Sequence, residues 1–271
     1  MAFVSFMTFA CPEWHFEQVL DAAVRHEYHG IEFRCDARHE HGVEIWSAPD
    51  ERKRWAKKLR EADVTPCCLA TSLQLIEPEA VDGLEPRLQL AADLEIPLLR
   101  VFCGPPPPGW EKQRVIEMLA DHLRAAGDRA AELERGILLE THDTVSLGAD
   151  AAEAVRLATH PAIAINYDNL HPYRYGESIE RTFSAIGEYV QHCHLHDALN
   201  RQDQVIIRPF GEGELPIDDM AAALFATGYD DFISGEWFHQ QYGPTPDESL
   251  ERYREDVAAL CRRHNVTLAE R

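Results

Sequence analysis

The chain lacks any apolar run approaching the ~20 residues that cross a bilayer. Its apolar first ten residues carry no basic flank and are too short for a secretory leader. The expectation is a cytoplasmic protein with no membrane partner. No Ser/Gly tract or shift in composition marks a linker, so residues 1–271 are expected to form a single domain. Seven cysteines are present (Cys11, Cys35, Cys67, Cys68, Cys103, Cys193 and Cys261), but none forms a CxxC pair. Zinc-ribbon and thioredoxin-like chemistry are thereby excluded, leaving reduced and mostly buried thiols. Basic residues are scarce: 26 Lys and Arg against 47 Asp and Glu give a net charge of −21. Such a surface repels the phosphates of nucleic acid and anionic lipid, so neither is an expected partner. Its plain consequence is solubility.

What is present is material for a large core. Hydrophobic residues make up 45% of the chain, and 5 Trp, 8 Tyr and 11 Phe exclude a mainly disordered polymer. Short apolar runs alternate with longer amphipathic segments. Strands are expected at 3–8, 30–35, 66–70, 98–102, 136–140, 163–168, 190–194 and 232–236. Helical periodicity falls at 13–26, 50–62, 87–94, 111–134, 148–158, 178–186, 217–227 and 247–264. In the fourth of these, Val115, Leu119, Leu123, Ala126, Ala130 and Leu133 make one apolar stripe. Eight strand–helix units of about 34 residues each predict an α/β fold, a (β/α)8 (TIM) barrel. An open doubly wound sheet usually shows a Gly-rich turn after its first strand. Phe9-Ala10-Cys11-Pro12 offers none.

Barrel enzymes carry their chemistry at the carboxyl ends of strands. The strands of the second half end in Glu140, Asp168, His194 and Glu236. A charged residue can end a strand simply because the chain has reached solvent, and any one of these alone would say little. Three carboxylates and one imidazole on four neighbouring strands instead make a plausible oxygen-rich site for a divalent cation.

The same stretch resembles the sugar-phosphate isomerase/epimerase group with a xylose isomerase-like barrel. The marks are Leu139-Glu140-Thr141-His142, Tyr167-Asp168-Asn169-Leu170-His171 and Cys193-His194-Leu195-His196-Asp197. Phe210-Gly211-Glu212-Gly213-Glu214, Gly228-Tyr229-Asp230 and Ser234-Gly235-Glu236 follow. The resemblance implies that Glu140, Asp168, His194 and Glu236 bind one divalent ion: manganese, magnesium, cobalt or zinc. It implies that Glu140 and Glu236 also act as acid and base on a sugar or keto-sugar, through an enediolate, and that His171 contacts a substrate oxygen. Isomerisation or epimerisation is the first reading, and a dehydratase or lyase on the same site is the second. An endonuclease IV-like nuclease and a non-catalytic sugar-binding barrel come after these.

The resemblance is incomplete in places. Ketose 3-epimerases carry a second glutamate six residues after the first ligand, where this chain has Ser146; their arginine after the His ligand is approximated by Arg201. The extra histidines of endonuclease IV are missing from Ala70-Thr71-Ser72, from Cys103-Gly104 and from Val205-Ile206-Ile207.

Several further residues are candidates. Arg34 and Glu32 alternate on the second strand, so both face the barrel interior, either paired with each other or with Arg34 on the substrate. Trp14, Trp110 and Trp237 follow strands and are positioned either as sugar-binding walls, Trp14 foremost, or as packing. Period-two alternation sends His192 and His196 the way His194 points. His192 is then a core residue, while His196 and His142 support the ligands from behind. His39 and His41 are expected in a solvated loop. The acidic run around Gly211-Glu212-Gly213-Glu214 argues against a phosphate there and hence for an unphosphorylated sugar. A homo-oligomer is compatible with all of this.

Overall fold

The eight apolar runs become parallel strands in a computed structural model that describes every residue except Pro78, Gln202 and Asp203. They are β1 (Phe3–Met7), β2 (Gly30–Arg34), β3 (Thr65–Gln74), β4 (Leu98–Phe102), β5 (Gly136–Glu140), β6 (Ile163–Asp168), β7 (Val190–His194) and, last, β10 (Phe232–Gly235). Hydrogen bonding runs β1-β10-β7-β6-β5-β4-β3-β2 and closes on itself, giving the expected barrel. Outside it lie α1 (Phe16–Arg25), α2 (Pro49–Glu61), α3 (Glu85–Leu94), α4 (Lys112–Glu132), α5 (Gly148–Ala158), α7 (Ile179–Ile186), α8 (Ile217–Ala226) and α10 (Pro246–Arg263). Two short helices, α6 (Leu170–Arg174) and α9 (His239–Tyr242), follow β6 and β10 at the rim.

Local chemistry explains where the helices begin. Ser178 Oγ accepts from the Arg181 amide ahead of α7, and Thr245 Oγ1 accepts from the Glu248 amide ahead of α10. Gly148 at the start of α5 donates its N–H to Glu177 at 2.7 Å. Along α4 the predicted stripe is buried from Val115 to Ala130, with Leu133 only partly covered.

The sheet has two faces with different chemistry. Ile137, Leu139, Ile163 and Ile165 turn outward into the main core beneath the helices. Inside, Cys68, Leu138 and Ala164, with Cys67, form a small apolar plug. One inward step further along the strands the lining becomes polar yet stays buried: Ser5, Glu32, Arg100, Asn166, His192 and Ser234. The parallel register sets Glu140 beside Asn166, Asp168 beside His194, and His194 beside Ser234. Side chains from β5, β6, β7 and β10 therefore reach the rim at one level.

An unpredicted hairpin, β8 (Asp197–Arg201) with β9 (Gln204–Arg208), is antiparallel and separate from the barrel. All seven cysteines are buried and free of disulfides. No helix among the described residues is long and apolar enough to cross a membrane.

Candidate metal centre

Glu140, Asp168, His194 and Glu236 each offer one donor atom, and the four atoms lie within 4.8 Å of one another. Glu140, Asp168 and His194 each have partners outside the group. Arg100, on β4, sets its Nε 2.8 Å from Glu140 Oε2, and Asn166 Nδ2 lies 3.3 Å from the same oxygen. Asp168 accepts from the Leu170 amide at 2.9 Å. Its own amide donates to Thr141 Oγ1 at 2.9 Å, which ties the ends of β5 and β6 together. His194 Nε2 meets Glu32 at 3.1 Å, while Nδ1 points to Glu236 Oε2 at 3.0 Å and to Asp168 Oδ2 at 3.9 Å.

Glu140 and Glu236 sit in unequal fields. Burial raises the Glu140 carboxyl, and Arg100 offsets this only in part, so it stays above the usual range. Burial also raises Glu236, but the charge of His194 and its hydrogen bond outweigh that and hold it low. Glu32 is likewise held well below the usual carboxylate range by His194 and His192 despite its burial.

The donor set fits a divalent cation. Ligand oxygens on a small hard cation sit at about 2.1 Å and are therefore up to about 4.2 Å apart, so a spread within 4.8 Å closes with a small contraction. Buried polar atoms beside the group also lack hydrogen-bond partners: Asn166 Oδ1 and both ring nitrogens of His196. Such orphans fit a place that receives a polar ligand.

Glu140, Asp168 and Glu236 line a cavity of about 270 Å³. Phe9, Phe102, Val205, Ile207, Trp237 and Phe238 give it apolar walls, with His171 and Arg174 at the lip. His171 and His142 both line it and meet with ring centroids 4.2 Å apart. Burial lowers the His171 ring to about 4, so it is neutral near pH 7. His142 Nδ1 pairs with Asp143 at 2.7 Å. His196 lies 3.8 Å from Asp168 Oδ1, and its backbone is bracketed by the Asn169 side chain.

Other candidates fall elsewhere. Arg34 does not pair with Glu32: its guanidinium donates to Ala70 O at 3.0 Å and to Ser72 Oγ at 2.5 Å, outside the cavity lining. Trp14 packs against the core, also off the lining, and Trp110 stacks under Arg114. The side chain of Arg201 lies outside the described part of the structure. His41 is not in a solvated loop but 1% exposed. Its Nδ1 accepts from the Val43 amide and its Nε2 donates to Thr8 Oγ1. Arg100, Asn166 and Thr141 were not anticipated. Arg100 alone carried a signal, as a lone charge inside the apolar run Leu98-Leu99-Arg100-Val101-Phe102. Glu32 was expected inside the barrel, but with a different partner.

The family model for the xylose isomerase-like TIM barrel matches residues 20–269. Comparison with curated proteins finds no match. Among solved structures, the IOLI protein with a bound zinc atom is 18% identical with a TM-score of 0.84, over 97% of this chain and 99% of that one. The probable 3-DHS dehydratase AsbF of Bacillus anthracis is 19% identical, TM-score 0.78, over 94% and 98%. An L-ribulose 3-epimerase is 13% identical, TM-score 0.78, over 98% and 96%. With the barrel closed and the family model covering nearly its whole length, the chain belongs to the xylose isomerase-like TIM barrel family.

Proposed function

We propose that the protein is a divalent-metal-dependent sugar isomerase or epimerase that moves a proton on the carbon beside a carbonyl. One observation carries this reading: three carboxylates and an imidazole from four neighbouring strands meet within 4.8 Å at the base of an apolar-walled cavity. Glu140, Asp168, His194 and Glu236 would hold the cation, whether manganese, magnesium, cobalt or zinc. Bound there, such an ion supplies Lewis acidity toward a carbonyl oxygen.

The proton work belongs to the chain. Glu140 and Glu236 come from strands separated by β6 and β7, so they approach a bound sugar from different sides. The Glu236 side chain is 22% exposed to the cavity and stands where a carbon-bound proton can be taken, with Glu140 to return one. The neutral His171 ring donates to a substrate hydroxyl at the lip. Phe102, Trp237 and Phe238 present apolar faces suited to a sugar ring and exclude water from the reacting carbon.

The substrate is read as unphosphorylated. In many barrels a phosphate sits on the backbone N–H groups ahead of the short helix near strands seven and eight. Here the Asp197 carboxylate already occupies that turn, accepting from Gly211 and Gly213 at 2.9 Å and from Leu215 at 3.1 Å. An internal carboxylate fills the place of an external anion.

Incubation with a panel of keto-sugars in heavy water, followed by NMR, tests the reading. Deuterium is expected at the carbon beside the carbonyl, and exchange should vanish in Glu140→Gln and Glu236→Gln. Undiminished exchange in both variants removes these residues from the proton-transfer role. Loss of water from the substrate would instead make the enzyme a lyase on the same residues.

A further inference from the structure

We propose that Glu32 is a positioning residue for the cation centre, turning His194 so that Nδ1 is its ligand atom. The proposal rests on the reading above of His194 as a ligand. It is carried by contacts that the four-residue site does not require.

Glu32 stands on β2, separated from β7 in the barrel by β1 and β10, and is fully buried. Its carboxylate oxygens are both 3.1 Å from His194 Nε2. Oε2 also lies 3.1 Å from His192 Nε2 and 2.7 Å from Ser234 Oγ. An ionised carboxylate only accepts hydrogen bonds, so all three partners donate to it. His194 therefore carries a hydrogen on Nε2, which leaves Nδ1, the nitrogen turned toward Glu236 and Asp168, to bind a cation by giving up its proton. Rotation of the ring would break the bond to Glu32 and leave a buried carboxylate short of a donor, which is costly. His192 on β7 and Ser234 on β10 in turn hold Glu32.

A purely structural role does not explain the choice of residue. A well-packed apolar side chain in a barrel interior stabilises as well as a buried ion pair or better. What a carboxylate adds is direction, since it selects one nitrogen of an imidazole and fixes the plane of the ring. The rival reading makes Glu32, Cys68 and His192 a second cation site, as their donor atoms also cluster. Glu32 Oε2 already takes the His192 and Ser234 hydrogens, and burial pushes the Cys68 thiol far up, so it remains protonated.

The test uses the full-length protein loaded with Co(II). Chelator competition gives cation affinity, visible absorption reports the ligand field, metal analysis gives stoichiometry, and circular dichroism reports the fold. Wild type is expected to bind one ion per chain. Glu32→Gln keeps the shape but offers Nε2–H at most one acceptor, so affinity should fall about 10- to 100-fold with a changed spectrum. Ser234→Ala removes one donor to Glu32 and should weaken binding several-fold in the same direction. It decides the matter if Glu32→Gln does not fold. Folded variants with wild-type affinity and spectrum overturn the proposal alone, as do two ions per wild-type chain. A wild type that takes up no ion overturns the functional reading on which it rests.

Discussion

Glu140 and Glu236 are the same residue type in different surroundings, and the difference comes from their neighbours. The Glu140 side chain is 2% exposed and depends on Arg100 for its counter-charge. Replacing Arg100 with Met should leave that carboxylate buried and unpaired, lowering stability by about 3–5 kcal/mol in urea denaturation. Adding Glu140→Gln to Arg100→Met should restore part of the loss, because a neutral amide needs no counter-charge. His41 supports a second residue-scale prediction. Burial lowers its ring to about 3, with the nearby His39 adding to the effect. The folded state therefore binds fewer protons than the unfolded chain between about pH 6.5 and pH 3. The stability involved is fully present above about pH 6.5 and is lost as pH falls through that window. His41→Asn, which keeps an acceptor but does not titrate, should flatten the fall in urea midpoint between pH 7 and pH 4. An unchanged slope would remove His41 as its source.

At the scale of elements, legibility followed burial on both faces. The runs 98–102, 136–140 and 163–168 were bounded as the structure has them, because a parallel strand covered by helices outside and side chains inside reads as largely apolar sequence; 190–194 was bounded as well, although it is half polar and only its last three residues are buried. The β8–β9 hairpin escaped notice because it is antiparallel, outside the barrel and only half covered, and Val205-Ile206-Ile207 is too short a run to mark it. It matters nonetheless, as Val205 and Ile207 form part of the cavity wall. The turn that follows depends on close approach. A Cβ on Gly213 would meet Asp197 Oδ1 at 2.1 Å and the Ala198 amide at 2.6 Å. Gly213→Ala should therefore cost about 1–3 kcal/mol and lower the melting temperature by several degrees. Wild-type melting would show that the turn opens freely.

For the whole molecule, a ligand that binds only the folded state adds its binding free energy to stability. At a thousandfold excess over Kd this is about 4 kcal/mol. Saturating divalent cation should raise the melting temperature by several degrees, and a chelator should reverse the rise. Asp168→Asn should abolish the shift in calorimetry. A shift that survives in Asp168→Asn would place the stabilising ion elsewhere.

The amino-acid order by itself determined the repeat of strands and helices, the closed barrel it implies, and which strand ends carry the three carboxylates and the imidazole. Those properties are periodic or local, and periodicity and strand-end position can be read along a line. Which side chains stand behind these groups was decided only by tertiary structure. Glu32 and His194 are 162 residues apart in the chain, yet the closure of β2 toward β7 through β1 and β10 brings them to 3.1 Å. Arg34, two residues from Glu32, instead turns its charge onto the backbone and hydroxyl of β3. A pairing set by barrel closure has no counterpart in the spacing of the residues that make it.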